Sequence, residues 1–289
     1  VLIGQAASNI PEDCQLVVYT AAIHPDNPEY AEAKSRKLPL LSRAELLGQL
    51  MRNYKTSVAV AGTHGKTTTT SMIASVLLSG DADPTISVGG ILSSIGGNIR
   101  VGGSNVFLTE ACEYTNSFLH FFPTVGIILN IEEDHMDFFK DLNDIRRSFR
   151  RFAELLPTQG LLIINSDIED YEEITEGLAC RVVTFGSAEA ADYRADDITY
   201  DELGHPSFRL VRKNGKGTRI RLQVPGEHNV FNALASIAAA EALQIPDEAV
   251  EKGLLSFTGT DRRFQYKGQV NGITIIDDYA HHPTEIRAT

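Results

Sequence analysis

Cysteine is scarce in this sequence: there are three among 289 residues, and no two of them form a CxxC pair. Cys14, Cys112 and Cys180 are far apart and odd in number, which argues against both a disulfide framework and a zinc site. Unpaired thiols of this kind fit a reducing compartment. Together with the ligands inferred below, they lead us to expect a cytoplasmic protein.

Long apolar runs are missing as well. Runs such as 125–129 and 161–164 are far shorter than the roughly 20 apolar residues that a membrane-spanning helix needs. No signal peptide is visible, so we expect no membrane partner. The sequence opens at Val1 without a methionine and stops at Thr289 just after a helix start, and we interpret both ends as truncated.

Positive charge is in deficit, with 26 Lys and Arg against 38 Asp and Glu and a net charge of −12. This balance argues against nucleic acid or an anionic membrane surface as the main partner. An acidic chain that binds phosphate groups has to gather its few cations locally. Clusters of Lys, Arg and Gly are therefore the features to examine.

Strand-like and helix-like segments alternate, which predicts an α/β fold with a mostly parallel sheet. Ser42 and Glu45 form a capping-box pattern at a predicted helix start. A hairpin is predicted around 214–217 and a single strand over 269–277. We predict three parts: the end of a truncated domain (1–54), a complete central domain (55–259) and the start of a truncated third domain (260–289).

The segment from Val58 to Thr68, Val-Ala-Val-Ala-Gly-Thr-His-Gly-Lys-Thr-Thr, carries the clearest local signal. It predicts a buried strand, a glycine-containing turn and a helix whose first amides and dipole favour an anion. Lys66 is suited to β- and γ-phosphates and the Thr67 hydroxyl to Mg²⁺. Val60 stands where the usual phosphate loop has its first glycine, so this loop is a variant. The predicted nucleotide-binding residues here are Gly62, Thr63, His64, Gly65, Lys66, Thr67 and Thr68.

Two polar segments, 109–114 and 130–137, follow predicted strands. The carboxyl ends of parallel strands share one edge of a sheet, which is also the edge of the phosphate loop. Glu110 and His135 are therefore candidate catalytic residues and, with Thr67, candidate Mg²⁺ ligands. The competing interpretation is that the acids at 132–134 are a solvated helix start.

Further candidates lie toward the C-terminus. Asn229 and Asn232 share one face of a predicted helix, although helix capping alone would also explain them. Arg262 and Arg263 follow a predicted interdomain linker, where an arginine from a second domain can neutralise a transferring phosphoryl group. The adjacent His281 and His282 lack an evident third ligand, so metal binding there is disfavoured.

These segments together resemble the Mur ligase family. The resemblance rests on six ordered motifs that span nearly the whole chain: Gly62-Thr-His-Gly-Lys-Thr-Thr-Thr-Thr70, Glu110-Ala-Cys-Glu-Tyr114, Asn130-Ile-Glu-Glu-Asp-His-Met-Asp137, Gly226-Glu-His-Asn-Val-Phe-Asn-Ala-Leu234, Arg262-Arg-Phe264 and Asp277-Asp-Tyr-Ala-His-His-Pro283. The resemblance implies a central P-loop-type ATPase domain flanked here by partial Rossmann-like N- and C-terminal domains.

Within the family, the motifs are most similar to enzymes that join L-alanine to UDP-N-acetylmuramate with ATP and Mg²⁺, through an acyl phosphate. The resemblance implies that Lys66 and Thr67 serve the ATP phosphates and one metal ion, and that Glu110 and His135 hold metal near the acyl phosphate. It further implies adenine-side contacts from His228, Asn229 and Asn232. Asp278, Tyr279 and His282 would approach the ribose and the amino acid when the domains close.

Two alternatives stay open. A ligase that attaches a recycled murein peptide to the same sugar shares nearly all of these motifs, whereas the more distant folylpolyglutamate and cyanophycin synthetases fit the Asp-Tyr-Ala-His-His-Pro segment less well. The chain by itself would alternatively be only a nucleotide-binding module, because it lacks most of the closing domain. We expect weak nucleotide binding and no ligation from residues 1–289 alone.

Overall fold

The computed structural model describes residues 1–213, 215–261, 263–280, 286, 287 and 289. The first part contains β1 (Val17–Tyr19), α1 (Pro28–Ser35), β2 (Leu40–Ser42) and α2 (Arg43–Met51), with β1 and β2 paired in parallel. Ser42 caps α2. Its hydroxyl accepts a 3.2 Å hydrogen bond from the Glu45 amide, and the Glu45 carboxylate accepts a 2.6 Å bond from the Ser42 amide. The predicted capping box is therefore confirmed.

Ten strands form the main sheet. In chain order they are β3 (Thr56–Ala61), β4 (Thr85–Leu92), β5 (Gly97–Arg100), β6 (Val106–Glu110), β7 (Val125–Ile128), β8 (Leu161–Asn165), β9 (Arg181–Phe185), β10 (Tyr193–Tyr200), β11 (Pro206–Arg212) and β12 (Gly215–Arg221). Their spatial order is β12-β11-β10-β9-β8-β7-β3-β6-β4-β5. Pairings from β10 through to β4 are parallel, and those of β5, β11 and β12 are antiparallel. The predicted α/β class, the mostly parallel sheet and the hairpin are confirmed.

Helices cover both faces of this sheet. They are α3 (Lys66–Ser79), α4 (Leu142–Ala153), α5 (Glu172–Thr175), α6 (His228–Ala242) and α7 (Asp247–Ser256). Because side chains alternate along a strand, β3 contributes to two cores. Val58 and Val60 pack in the cluster that includes α3, α6 and α7, while Ala59 and Ala61 pack in the cluster that includes α4. Burial on both faces explains the continuous apolar pattern of this strand.

The end of the chain differs from the prediction. The single strand expected over 269–277 is wrong, because the structure has an antiparallel hairpin of β13 (Gln265–Val270) and β14 (Ile273–Asp277). Asn271 and Gly272 both have positive φ, 51° and 79°, at the turn between the strands. Asn-Gly is the usual pair for such a two-residue turn, so the sequence contains a local signal for the hairpin.

Among the residues that the structure describes, no helix combines the length and the apolar character that crossing a membrane requires.

Candidate functional site

The loop between β3 and α3 is shaped by two glycines. Gly62 has φ 145° and Gly65, which precedes the first residue of α3, has φ 82°. A Cβ on Gly62 would lie 2.9 Å from the Leu129 Cβ, and one on Gly65 would lie 2.7 Å from the Asn232 Oδ1. Both positions therefore require glycine, for backbone conformation and for space. The first turn of α3 is left facing the cleft, where its amides favour an anion.

Asn130 holds this loop in place from the neighbouring strand end. Its Oδ1 accepts a 2.7 Å hydrogen bond from the His64 amide, and its Nδ2 donates to the His64 carbonyl at 3.1 Å. Its own carbonyl accepts from the Thr63 amide at 3.2 Å. Sequence reasoning placed Asn130 in a polar segment but did not select it. Its position directly after a buried strand was the available signal.

Lys66 is folded back over the loop. Its Nζ donates to the carbonyls of Gly62 at 2.6 Å and Thr63 at 3.1 Å. It also meets both carboxylate oxygens of Glu113, at 2.9 and 3.1 Å. The Glu113 side chain is only 2% exposed. Glu113 is thus part of the site, although sequence reasoning chose only Glu110 from this segment.

Thr67 and Glu110, two of the predicted metal ligands, are adjacent. The Thr67 Oγ1 donates to the Glu110 Oε2 at 3.1 Å, and the Gly89 amide donates to the Glu110 Oε1. A Cβ on Gly89 would lie 2.9 Å from the Glu110 Oε2, so a side chain there would have to displace the Glu110 carboxylate. A hydroxyl beside a carboxylate is an oxygen pair of the kind that Mg²⁺ prefers.

His135, the third predicted ligand, lies with different carboxylates. One ligand atom from each of His135, Asp134 and Glu113 lies within 4.8 Å of the others. His135 has φ 53°, and its ring packs on Tyr114 at 4.5 Å between centroids. The Tyr114 hydroxyl donates to Asp137 at 2.9 Å, a bond that raises the pKa of Tyr114. The arrangement offers nitrogen and oxygen ligands for a cation beside the Lys66 ammonium.

The two asparagines of α6 are buried, each 6% exposed, and bonded to one another. The Asn232 Nδ2 donates to the Asn229 Oδ1 at 3.0 Å, and the Asn229 Nδ2 donates to the Pro225 carbonyl at 2.7 Å. Helix capping does not explain them. The helix begins at His228 with Glu227 as its cap residue, and no side chain caps it. The amides instead order the start of α6 along the cleft wall.

Asp278 lies opposite His228 and ties the C-terminal hairpin together. Its carboxylate accepts from the Phe264 amide at 2.6 Å and the Ala280 amide at 2.7 Å. Burial lowers the pKa of His228 below its ordinary value, and the Asp278 carboxylate partly offsets this by raising it. The Arg263 guanidinium stacks over the Tyr279 ring at 5.5 Å. Two predicted residues, Arg262 and His282, lie outside the described part of the chain.

A cleft of about 570 Å³ lies between the loop and the start of α6. Its lining includes nine of the predicted site residues: His64, Gly65, Thr67, Thr68, His228, Asn229, Asn232, Arg263 and Asp278. Six other predicted residues do not line it: Gly62, Thr63, Lys66, Glu110, His135 and Tyr279. Gly62 and Thr63 belong to the loop, and Lys66 begins α3. The cleft has the volume of a small-ligand site, and it is lined both by residues of the loop and α3 and by residues at the start of α6.

A glycine-containing loop between a strand and a helix, at the carboxyl edge of a mostly parallel sheet and beside a carboxylate cluster and a cleft, is the arrangement of a P-loop-type α/β protein. Residues 60–240 match the family model of the Mur ligase middle domain. Residues 1–55 match the model described as the Mur ligase family, catalytic domain, and residues 262–289 match the model described as the Mur ligase, glutamate ligase domain. The chain belongs to the Mur ligase family.

Known relatives agree with this assignment. The UDP-N-acetylmuramate–L-alanine ligase of Lachnospira eligens is 60% identical over all of this chain and 63% of its own length. The structure of the UDP-N-acetylmuramate-alanine ligase of Thermotoga maritima matches with a TM-score of 0.85 and 33% identity, over 99% of this chain and 65% of that one.

A further structural relative is the UDP-N-acetylmuramate:L-alanyl-γ-D-glutamyl-meso-diaminopimelate ligase of Neisseria meningitides, with a TM-score of 0.80 and 27% identity. That match covers 90% of this chain and 84% of the other. The chain spans about 63% of the length of the curated relatives that it matches.

Proposed function

We propose that this chain is the nucleotide-binding part of an ATP-dependent ligase that joins L-alanine to the carboxylate of UDP-N-acetylmuramate in peptidoglycan precursor synthesis. The observation that carries the proposal is the identity of 60% and 59% to ligases of that name, along the whole of this chain. The phosphate loop and the cleft supply a physical basis for the ATP requirement.

The proposed organisation has three parts, 1–54, 55–259 and 260–289. Three separate sheets support it, because the β1–β2 pair, the ten-stranded sheet and the β13–β14 hairpin each fall inside one part. The family matches, which change between 55 and 60 and between 240 and 262, support the same division.

In this proposal the ATP phosphates bind the loop from Gly62 to Thr68. The amides at the start of α3 and the Lys66 ammonium neutralise the phosphate charge. The adenine end lies along the cleft toward His228, Asn229 and Asn232, whose amides and imidazole suit the polar edge of a base. Asp278 and Tyr279 then lie on the side where the ribose would be placed.

The residues at the strand ends fit Mg²⁺. The Thr67 hydroxyl and the Glu110 carboxylate would hold one ion beside the loop. His135, which lies with Glu113 and Asp134, would hold metal near the acyl phosphate together with Glu110. The ion would supply charge neutralisation at the phosphate oxygens. Thr67 and Glu110 already share a hydrogen bond, so their oxygens are positioned for a common cation.

The proposed chemistry needs charge stabilisation and little covalent work by the protein. The sugar carboxylate attacks the γ-phosphorus of ATP, giving an acyl phosphate and ADP; the amine of L-alanine then displaces phosphate and forms the amide. Lys66 would stabilise the phosphoryl group from the loop. Arg263 and Arg262 would approach it from the third part, and His282 would contact the amino-acid substrate.

The test is phosphate release by a full-length protein carrying these residues, with Mg²⁺, ATP and UDP-N-acetylmuramate. Three reactions are compared: no acceptor, L-alanine, and the tripeptide L-alanyl-γ-D-glutamyl-meso-diaminopimelate. We expect release that depends on L-alanine. Release with the tripeptide alone would replace the proposal with a recycling ligase, for which the similarity to the Neisseria enzyme is the supporting observation.

A further inference from the structure

Acceptor oxygens of this chain saturate the Lys66 ammonium. It carries three protons, and four acceptor oxygens surround it at 2.6–3.1 Å. Two acceptors are carbonyls of the loop and two belong to Glu113. A phosphate group that uses Lys66 therefore has to take its protons away from oxygens that already bind them.

Glu113 is the strongest of these competitors because it is charged and buried. Its side chain is 2% exposed, and that of Lys66 is 16% exposed. A carboxylate removed from water depends on a paired cation, so the folded-back position of Lys66 is stabilised by more than the loop carbonyls provide. The cost of leaving Glu113 opposes the movement of Lys66 toward a ligand.

Glu113 is placed to do this by the sheet rather than by the loop. It follows β6, which pairs in parallel with β3, so the residues after these two strands meet at one edge. Glu110, at the end of β6, is bonded to Thr67, and Glu113 is bonded to Lys66. Two successive residues of α3 are thus each held by a different carboxylate of the same segment.

We propose that Glu113 is a positioning residue that holds Lys66 back over the loop until the β- and γ-phosphates of a nucleotide take the ammonium from it. This inference rests on the proposed function, because it requires a nucleotide in the cleft. The apparent dissociation constant then equals the intrinsic constant divided by the fraction of molecules in which Lys66 is released. Removing the Glu113 charge raises that fraction and tightens binding of nucleotides that carry a β-phosphate.

The experiment measures, by calorimetry, the affinity of a full-length protein carrying these residues for ADP and AMP at one fixed Mg²⁺ concentration. The variants are Glu113→Gln, Lys66→Met and the double variant. Glu154→Gln serves as the matched control, because Glu154 is an exposed acid paired with Arg150 on α4. We expect Glu113→Gln to tighten ADP binding about tenfold, which corresponds to a folded-back fraction of about nine in ten in the wild type.

Two further results are expected if Glu113 acts through Lys66. AMP affinity stays within about twofold in Glu113→Gln, because AMP has no β-phosphate to compete for the ammonium. In the Lys66→Met background, Glu113→Gln no longer changes ADP affinity. If Glu113→Gln fails to fold, Glu113→Asp is the second variant. Its shorter side chain keeps the charge but moves it away from Lys66, so a smaller increase in ADP affinity is expected.

Weaker or unchanged ADP binding in folded Glu113→Gln, with normal binding by the wild type, would overturn this inference and leave the proposed function standing. Equal changes for ADP and AMP would overturn it too, since they would indicate a general distortion of the site. A wild-type full-length protein that binds no ADP would instead overturn the proposed function itself.

Discussion

The Thr69 hydroxyl donates a 3.1 Å hydrogen bond to the Asn232 Oδ1, across 163 residues of chain. Thr69 is fully buried on α3, and Asn232 is 6% exposed on α6. Asn232 also donates to Asn229, so the helix that follows the phosphate loop is tied to the far wall of the cleft. The hydrogen bonds from Thr69 to Asn232 and from Asn232 to Asn229 therefore fix α3 and the start of α6 relative to one another.

These buried hydrogen bonds predict a large loss of stability for Asn232→Ala. The substitution leaves Thr69 and Asn229 without their partner, and a buried group left unpaired costs about 1–3 kcal/mol. We expect the free energy of unfolding in urea to fall by about 2 kcal/mol or more. Thr69→Val should cost less, because it removes only one bond. The double variant should lose less than the two single losses combined, and simple additivity would show that the two residues are not coupled.

Gly65→Ala is expected to abolish most nucleotide binding. Its φ of 82° disfavours any side chain, and the added Cβ would lie 2.7 Å from the Asn232 Oδ1. Gly177→Ala is a matched control, because Gly177 has φ 70° and no atom within 4 Å of an added Cβ. Both variants should lose about 1 kcal/mol of stability from backbone strain. Only Gly65→Ala should also weaken ADP binding, by about tenfold or more, because only at Gly65 does the added Cβ displace residues of the site. An equal loss of ADP affinity in Gly177→Ala would contradict this explanation.

Glu110→Gln should reduce the effect of Mg²⁺ on nucleotide affinity. Glu110 accepts bonds from Thr67 and Gly89, which aim its carboxylate at the loop. The amide keeps most of this geometry but removes the charge that a divalent cation needs. We expect Mg²⁺ to tighten ADP binding about tenfold less in the variant than in the wild type, with Mg²⁺-free binding unchanged. If titration calorimetry shows the same Mg²⁺ dependence in both, Glu110 is not a metal ligand.

The capping box of α2 predicts a dependence of stability on pH. Hydrogen bonds from Ser42, first from its amide, hold the pKa of Glu45 below its ordinary value of 4.5. A carboxyl whose pKa is lowered by folding stabilises the protein above the unfolded pKa and loses that effect as pH falls. Stability should thus decline below about pH 4.5 in the wild type, with a shallower decline in Glu45→Gln.

Ser42→Ala separates the two halves of the same cap. It removes the hydroxyl that accepts from the Glu45 amide but keeps the Ser42 amide that bonds the carboxylate. We expect a loss of about 1 kcal/mol at neutral pH, with most of the acid-dependent decline retained. Urea unfolding at pH 7 and at pH 4 measures both. Loss of the pH dependence in Ser42→Ala would show that the hydroxyl, rather than the amide, sets the pKa of Glu45.

Much of the fold was readable because its signals are local. Burial on both faces marked β3 as an apolar run, and the capping box marked the start of α2 within four residues. The C-terminal hairpin shows the limit. The apolar residues of 269–277 favour one strand, whereas the structure turns at the Asn271-Gly272 pair, which has the positive φ values that a tight turn demands.

The candidate site likewise has a part that local sequence predicts and a part that depends on distant contacts. The sequence alone predicted the loop between β3 and α3 and its suitability for phosphate, since the glycines, Lys66 and Thr67 lie within a few residues of one another. Tertiary structure alone decided that Lys66 pairs with Glu113, 47 residues away, and that Thr69 meets Asn232. Those contacts depend on the parallel pairing of β6 with β3 and on the packing of α6 against α3. Strand order and helix packing are set by burial of the whole sheet, so no short segment contains the information that brings these side chains together.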